Sequence, residues 1–140
     1  MSLDDKKRAV VVGLEMSKAY EALSDAVLLG DNSRWSGAAG RLYYAVFHAV
    51  SALLVHDAHV VKSHKGAGVL FHQYYVKTNK VPAVYGALFG RLEDMREEGD
   101  YNCHYTISAD EFTTSLPAAK EMVDAIAAMV KDNKDEKINV

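Results

Sequence analysis

The chain has 140 residues, 49% of them hydrophobic and 25% charged, which fits one domain with a sizeable core. The net charge of −3 excludes a uniformly basic nucleic-acid-binding surface, so we expect any RNA site to be a local patch built from two copies of the chain. The single cysteine, Cys103, allows neither an intrachain disulfide nor a closed thiolate zinc site. Residues 1–8 carry charges of both signs, and the apolar runs are interrupted before the ~18 residues that span a bilayer, which predicts a cytoplasmic protein without a membrane partner.

Two long helices are predicted in the first half of the chain. The first runs from about Asp4 to Leu29, since apolar residues recur at helical spacing through Val12, Met16, Ala19, Leu23 and Ala26. Gly30-Asp-Asn predicts a turn, with Ser33 as the N-cap of a second helix over residues 34–55. Small alanines between large apolar residues of the second helix favour close packing, inside a bundle or between subunits.

A short helix and a fourth helix follow. The short helix begins after Ser63 and fades at residues 78–80. Pro82 is predicted as the first residue of the fourth helix, which Gly99 ends. Residues 100–107 are polar and predicted to be irregular.

The last helix completes an all-α fold. Ser108 and Glu111 form a capping-box pattern at its start, and Pro117 is expected to kink it or to delay its start. We predict an antiparallel helical bundle of four long helices and one short helix over residues 1–130, with a frayed charged tail at 131–140.

Three polar clusters are candidates for a functional site, and the first lies on the second helix. Arg41, Tyr44 and His48 are spaced to share one stripe beside its apolar face. Such a stripe offers a cation for phosphate and an imidazole for proton transfer. The alternative is the hydrated flank of an amphipathic helix, or a polar seam in a dimer interface.

The second cluster, Lys62-Ser-His-Lys-Gly, stands at the start of the short helix. His64 and Lys65 add positive charge where backbone N–H groups are free, which favours a bound phosphate. The alternative is a solvated loop in which Ser63 only caps the helix.

The third cluster stands at the end of the fourth helix and comprises Arg96, Asp100, Tyr101 and His104. Cleavage of RNA without a metal needs a base for the 2′-hydroxyl, a cation for the phosphorane and an acid for the leaving oxygen, and these residue types supply all three. The alternative is an Arg96–Asp100 ion pair that closes the helix C-terminus. Histidine pairs at helical metal-ligand spacing and phosphate-binding glycine loops are absent from the sequence, so we expect neither a metal nor a cofactor.

Three strings together resemble the HEPN-domain family over about residues 5–130. They are Arg41-Leu-Tyr-Tyr-Ala-Val-Phe on the second helix, Lys62-Ser-His-Lys-Gly with the segment after it, and Arg96-Glu-Glu-Gly-Asp-Tyr. The resemblance implies a helical bundle that forms a homodimer, here through the apolar and alanine-rich sides of the second and fourth helices, with polar residues of both subunits in a shared cleft. It also implies activity on RNA, since many members are ribonucleases, often toxins paired with a minimal nucleotidyltransferase antitoxin.

The sequence departs from the catalytic pattern of the family, in which an arginine is followed after four to six residues by a histidine. Tyr101 stands five residues after Arg96, and seven residues separate Arg96 from His104. Whether the chain is an enzyme therefore stays open at this point.

Three functional hypotheses result. In the first, the chain belongs to a toxin–antitoxin or defence-like module and is a metal-independent ribonuclease. Arg96 then stabilises the phosphorane, Asp100 orients it, and Tyr101 or His104 transfers a proton, while phosphate contacts come from Arg41, Tyr44, His48, His64 and Lys65. In the second, the same residues bind a nucleotide or a minimal nucleotidyltransferase partner without catalysis. In the third, they form a purely structural network at the dimer interface.

Overall fold

The computed structural model describes residues 4–131, and every regular element within them is helical. The helices are α1 (Asp5–Asp31), α2 (Trp35–His56), α3 (His64–Phe71), α4 (Ala83–Tyr101) and α5 (Ala109–Met129). One π-helical turn, His72–Val76, directly extends α3. The predicted all-α architecture of four long helices and one short helix is confirmed, whereas the predicted tail beyond Lys131 lies outside the described residues.

Helix α2 is the core of the bundle and contacts all four other helices. Among residues 4–131 it is the one helix long and apolar enough by composition to cross a membrane, which the prediction of short apolar runs did not anticipate. The bundle buries 67% of its most apolar window, as expected for the core helix of a soluble protein. Its alanines are fully buried within the single chain. The alanine-rich side of α2 is therefore not available for the predicted dimer interface.

The turn after α1 corrects the prediction for Ser33. This residue has a φ of 58°, and its N–H donates to the carbonyl of Gly30, while the N–H of Arg34 donates to the carbonyl of Leu29. These two bonds form a Schellman motif, in which one residue must adopt the left-handed conformation. An N-cap residue needs extended backbone instead, so Ser33 ends α1, and α2 starts after Arg34 without a side-chain cap.

Ala58 ends α2 in the same motif, with a φ of 65° and no glycine to relieve the strain. The left-handed conformation costs an alanine about 1–2 kcal/mol, which a glycine would not have to pay. A glycine loses more conformational entropy on folding, however, and this loss offsets part of the stability gained. We expect Ala58→Gly to raise the free energy of unfolding in urea by roughly 0.5–1 kcal/mol. Ala9→Gly, at an exposed position inside α1, is the control and should lower it by about 1 kcal/mol. A similar loss in both variants would contradict the assigned strain.

The ends of α4 and α5 follow from caps and close packing. Pro82 is the N-cap of α4 and not its first residue. Gly99 does not end α4, which runs to Tyr101, so the irregular segment is shorter than predicted. A Cβ at residue 99 would lie 2.9 Å from Oγ of Ser36, so glycine here lets α4 approach α2. The predicted capping box at Ser108 is confirmed, and α5 begins there and continues through Pro117.

Candidate functional site

Three aromatic side chains of α2, Tyr43, Tyr44 and Phe47, form a surface that we call the aromatic wall. His64, the first residue of α3, stacks on Phe47 with ring centroids 3.9 Å apart and 13° between the planes. The guanidinium carbon of Arg96 in α4 lies 4.9 Å from the ring centroid of Tyr43 and 6.0 Å from that of Tyr44. The wall therefore brings together predicted site residues from three separate segments of the chain.

His64 is oriented by a buried hydroxyl. The Tyr43 side chain is fully buried, and its hydroxyl oxygen lies 3.0 Å from Nδ1 of His64. Burial, and then the negative charge of Glu93, raise the pKa of Tyr43 to about 12, so the phenol keeps its proton. A buried hydroxyl proton needs an acceptor, and Nδ1 supplies it. In the neutral ring the proton is then on Nε2, which makes His64 a hydrogen-bond donor towards solvent.

The charge state of His64 follows from its surroundings. Burial lowers the pKa of His64 below the ordinary histidine value of 6.5, and the positive charge of Arg96 lowers it further, whereas the negative charge of Glu93 opposes this shift. The imidazole is consequently neutral at pH 7. Protonation would make it a stronger acid than an ordinary histidine.

His48 also contacts Tyr44, and the proton of its neutral ring is on the nitrogen opposite to that of His64. Nδ1 of His48 lies 2.9 Å from Oε2 of Glu15 in α1. A carboxylate only accepts hydrogen bonds, so Nδ1 carries a proton, and Nε2 of the neutral ring is left as a proton acceptor. The ring centroid of His48 is 5.4 Å from that of Phe47 and 6.5 Å from that of Tyr44. The two histidines thus contact the same wall with complementary proton arrangements.

Arg96 is held in place but not fully satisfied. Its side chain is 17% exposed, and its terminal nitrogens lie 3.4 Å from Asp100 and 4.0 Å from Glu97. The predicted Arg96–Asp100 ion pair is therefore present, at a long distance. Nε of Arg96 is buried and has no hydrogen-bond partner in the described part of the chain. The Tyr43 and Tyr44 rings restrain the position of the guanidinium, while its terminal groups keep hydrogen-bonding capacity.

Of the other predicted site residues, some lie near the aromatic wall and some do not. Arg41 lies over Tyr44, with its guanidinium carbon 5.0 Å from the ring centroid, and Lys65 is exposed beside His64. Tyr101 is 82% exposed, and the backbone N–H of His104 donates to the Asn102 side chain.

Within residues 4–131 no contact joins the side chain of Tyr101 or His104 to Arg96. For Tyr101 the reason is geometric, because a position five residues further along a helix points away from the first by more than a third of a turn. His104 lies beyond the end of α4. Of the third predicted cluster, only Arg96 and Asp100 are brought together.

Two depressions flank Tyr44. The larger, of about 850 Å³, is a groove between α3 and α4 that His64 and Arg96 line at one end. The smaller, of about 310 Å³, is lined by Arg41, Tyr44 and His48 together with residues of α1. We call Tyr44 the ridge, since it lines the smaller depression and contacts both His64 and Arg96 of the larger one.

Sequence reasoning missed four participants, which are Tyr43, Glu15, Phe47 and Glu93. Glu15 acts through a tertiary contact with α2, for which the amphipathic pattern of α1 holds no signal. Phe47 follows Tyr44 by three residues, a spacing that does place both rings on one helix face. Glu93 precedes Arg96 by one helical turn, but its influence on Tyr43 and His64 depends on how α4 packs. Among the described residues no group of three metal-ligating side chains is placed to hold an ion.

Comparison with known proteins identifies the fold family. A family model described as HEPN domain matches residues 14–131. A UPF0332 protein from Thermotoga maritima is 34% identical over 117 residues, which cover 84% of this chain and 89% of that protein. Two proteins of Methanocaldococcus jannaschii, each named "putative toxin", are 30% and 26% identical, and the matches cover 81% and 69% of this chain and 84% and 65% of those proteins. The chain belongs to the HEPN-domain family.

Proposed function

We propose that the protein is the RNA-acting component of a toxin–antitoxin or defence-like module and that it cleaves RNA without a metal at the Tyr44 ridge. The observation that carries the proposal is the pair of complementary histidines on the aromatic wall, which Arg96 also contacts. His48 offers a proton acceptor at Nε2 and His64 a donor at Nε2, because Glu15 and Tyr43 hold the respective Nδ1 atoms in opposite ways. Paired base and acid catalysis needs a proton acceptor and a protonated group, so in this proposal neutral His48 is the base and His64 is the acid in its protonated form, with its Nδ1–H donating to the Tyr43 oxygen.

The proposed reaction is an intramolecular transesterification, in which the phosphoryl group of the RNA moves from the 5′-oxygen to the 2′-oxygen. Nε2 of His48 takes the proton of the 2′-hydroxyl, and the 2′-oxygen forms a bond to phosphorus. The bond from phosphorus to the 5′-oxygen breaks, and protonated His64 gives its Nε2 proton to that oxygen. The products are a 2′,3′-cyclic phosphate and a 5′-hydroxyl, so atoms and charge balance without a redox step or a cofactor.

The cations stabilise the charge that develops on the phosphorane. Arg96 lies beside the wall with its terminal nitrogens available, and preorganised donors of this kind lower the barrier strongly in a partly desolvated site. Asp100 restrains the guanidinium. Arg41 and Lys65, both exposed, supply contacts to neighbouring phosphates, and the half-buried Tyr44 ring offers a surface for a base to stack.

A second candidate function is a binding module without catalysis, which docks a nucleotide or a minimal nucleotidyltransferase partner. The observation that favours it is that Arg96 already contacts two carboxylates and is not followed by the family's histidine. A homodimer and a nucleotidyltransferase partner, as the family resemblance implies, remain part of both proposals. The names of the M. jannaschii relatives support a toxin role more than a purely structural one.

The experiment that separates the two is incubation of the purified protein with a mixed RNA pool that contains tRNA, in the presence of a metal chelator. We expect fragments that end in 2′,3′-cyclic phosphate and begin with 5′-hydroxyl. Intact RNA after incubation with a folded protein, together with a stoichiometric complex with a nucleotidyltransferase, would favour the second candidate. Fragments that appear only when a divalent metal is added would contradict the proposed chemistry.

A further inference from the structure

The groove between α3 and α4 has walls of opposite charge. The α3 side carries Lys65 and, directly after the π-helical turn, Lys77, and the α4 side carries Glu93, Asp94 and Glu97 with Arg96 at the end near His64. In the described part of the chain no ion pair joins a lysine of the first wall to a carboxylate of the second. Glu97 contacts Arg96, but Glu93 and Asp94 have no ion-pair partner among the described residues and face the two lysines across a groove of about 850 Å³, which lies within the range of small-molecule sites.

A glycine without a packing role keeps this groove open. Gly90 lies in the interior of α4, where glycine costs about 1 kcal/mol relative to alanine. A Cβ at residue 90 would meet no heavy atom within 4 Å, so close packing does not require glycine. Gly86, one turn earlier, differs because its Cβ would lie 3.0 Å from Val76. Gly90 lines the groove, and any larger side chain there would project into it.

We infer that the groove binds a guanine nucleotide of single-stranded RNA, with the base edge on Glu93 and Asp94 and the adjoining phosphate on Lys65 and Arg96. This inference rests on the proposed function, because His64 and Arg96 line the end of the groove and so join it to the cleavage site. It deepens that function by naming the base that the protein selects.

Guanine is the base whose donors fit a carboxylate wall. Its Watson–Crick edge presents N1–H and the N2 amino group side by side, which match the two oxygens of one carboxylate. Adenine and cytosine each present one amino group next to an acceptor, and uracil presents one N–H between two carbonyls. Carboxylates repel these acceptors, so a wall that presents Glu93 and Asp94 favours guanine over the other bases.

The test is isothermal titration calorimetry of the purified protein, in whatever oligomeric state it adopts, with GMP, IMP, AMP and UMP. IMP is the matched ligand because it differs from GMP only by the N2 amino group. We expect GMP to bind roughly tenfold or more tightly than IMP and the other two. Gly90→Leu should abolish GMP binding without loss of thermal stability, because leucine is a good helix former and meets no neighbour at Cβ. Gly13→Leu is the matched control and should bind GMP like the wild type, since a Cβ there also meets nothing and residue 13 lies outside the groove.

Equal binding of all four nucleotides, or GMP binding by Gly90→Leu, would overturn the inference. The outcome is independent of the cleavage assay. GMP binding that Gly90→Leu abolishes, in a protein that leaves RNA intact, would preserve the groove and reject the ribonuclease. Cleavage of RNA without preference for guanine, in a protein that does not bind GMP, would preserve the ribonuclease and reject the guanine-binding groove.

Discussion

Replacement of Arg96 by alanine should lower the rate of metal-independent RNA cleavage by roughly 100- to 1,000-fold, as removal of one preorganised donor to a developing oxyanion does elsewhere. The expected loss follows from the position of the guanidinium, which stacks on Tyr43 and keeps its terminal nitrogens at the edge of the site. The control is Arg91→Ala, an exposed arginine of the same helix that lies away from the aromatic wall. It should cleave at the wild-type rate. Equal activity of the two variants would remove Arg96 from the site.

Arg96→Ala also removes packing against two aromatic rings, so its folding has to be measured separately. Thermal unfolding by circular dichroism shows whether the variant is folded at the assay temperature. Arg96→Lys offers a second comparison, because lysine keeps the charge but loses the planar group that stacks and binds phosphate oxygens in pairs. We expect Arg96→Lys to fold and to retain only part of the activity.

His48→Ala and His64→Ala should each lower the cleavage rate by about 100- to 10,000-fold, the range for removal of a positioned acid or base. His104→Ala is the matched control, since His104 is an exposed histidine with no contact to Arg96 among the described residues. This comparison also distinguishes two assignments of the proton transfer. The structure favours His48 and His64, whereas the sequence alone suggested Tyr101 or His104. A loss of activity in His104→Ala alone would restore the sequence-based assignment.

The pH dependence of the same reaction has a defined direction. His64 has to be protonated to act as an acid, and burial together with the positive charge of Arg96 lowers the pKa of His64 below 6.5. The rate should therefore fall as pH rises through a value below 6.5. Arg96→Ala removes a positive charge and so raises the pKa of His64. The residual rate of this variant should therefore fall at a higher pH than the rate of the wild type does.

The helices were predictable from the sequence because their signals are local. Apolar spacing identifies α1 and α2, and the capping box at Ser108 marks the start of α5 to the residue. The errors at Ser33 and Gly99 arise where tertiary structure decides. Ser33 takes a left-handed conformation that the chain reversal requires, and Gly99 serves contact with α2 and not helix termination.

The candidate site was only partly predictable. The stripe of Arg41, Tyr44 and His48 follows from helical spacing alone. That Arg96 and His64 meet on the aromatic wall depends on the packing of α3 and α4 against α2, for which no spacing rule exists. The pairing of Glu15 with His48 likewise needs α1 to lie beside α2. In the proposed reaction, a histidine from another helix that faces the same wall takes the place of the missing histidine after Arg96.

The most direct test of the complementary histidines is long-range ¹H–¹⁵N NMR of the imidazole side chains, with and without a 2′-O-methyl RNA that cannot be cleaved. The structure predicts neutral His64 with its proton on Nε2 and His48 with its proton on Nδ1. It also predicts that the added RNA shifts the Nε2 resonances of both. The same tautomer in both rings, or resonances that do not move when RNA binds, would contradict a ribonuclease site at the Tyr44 ridge.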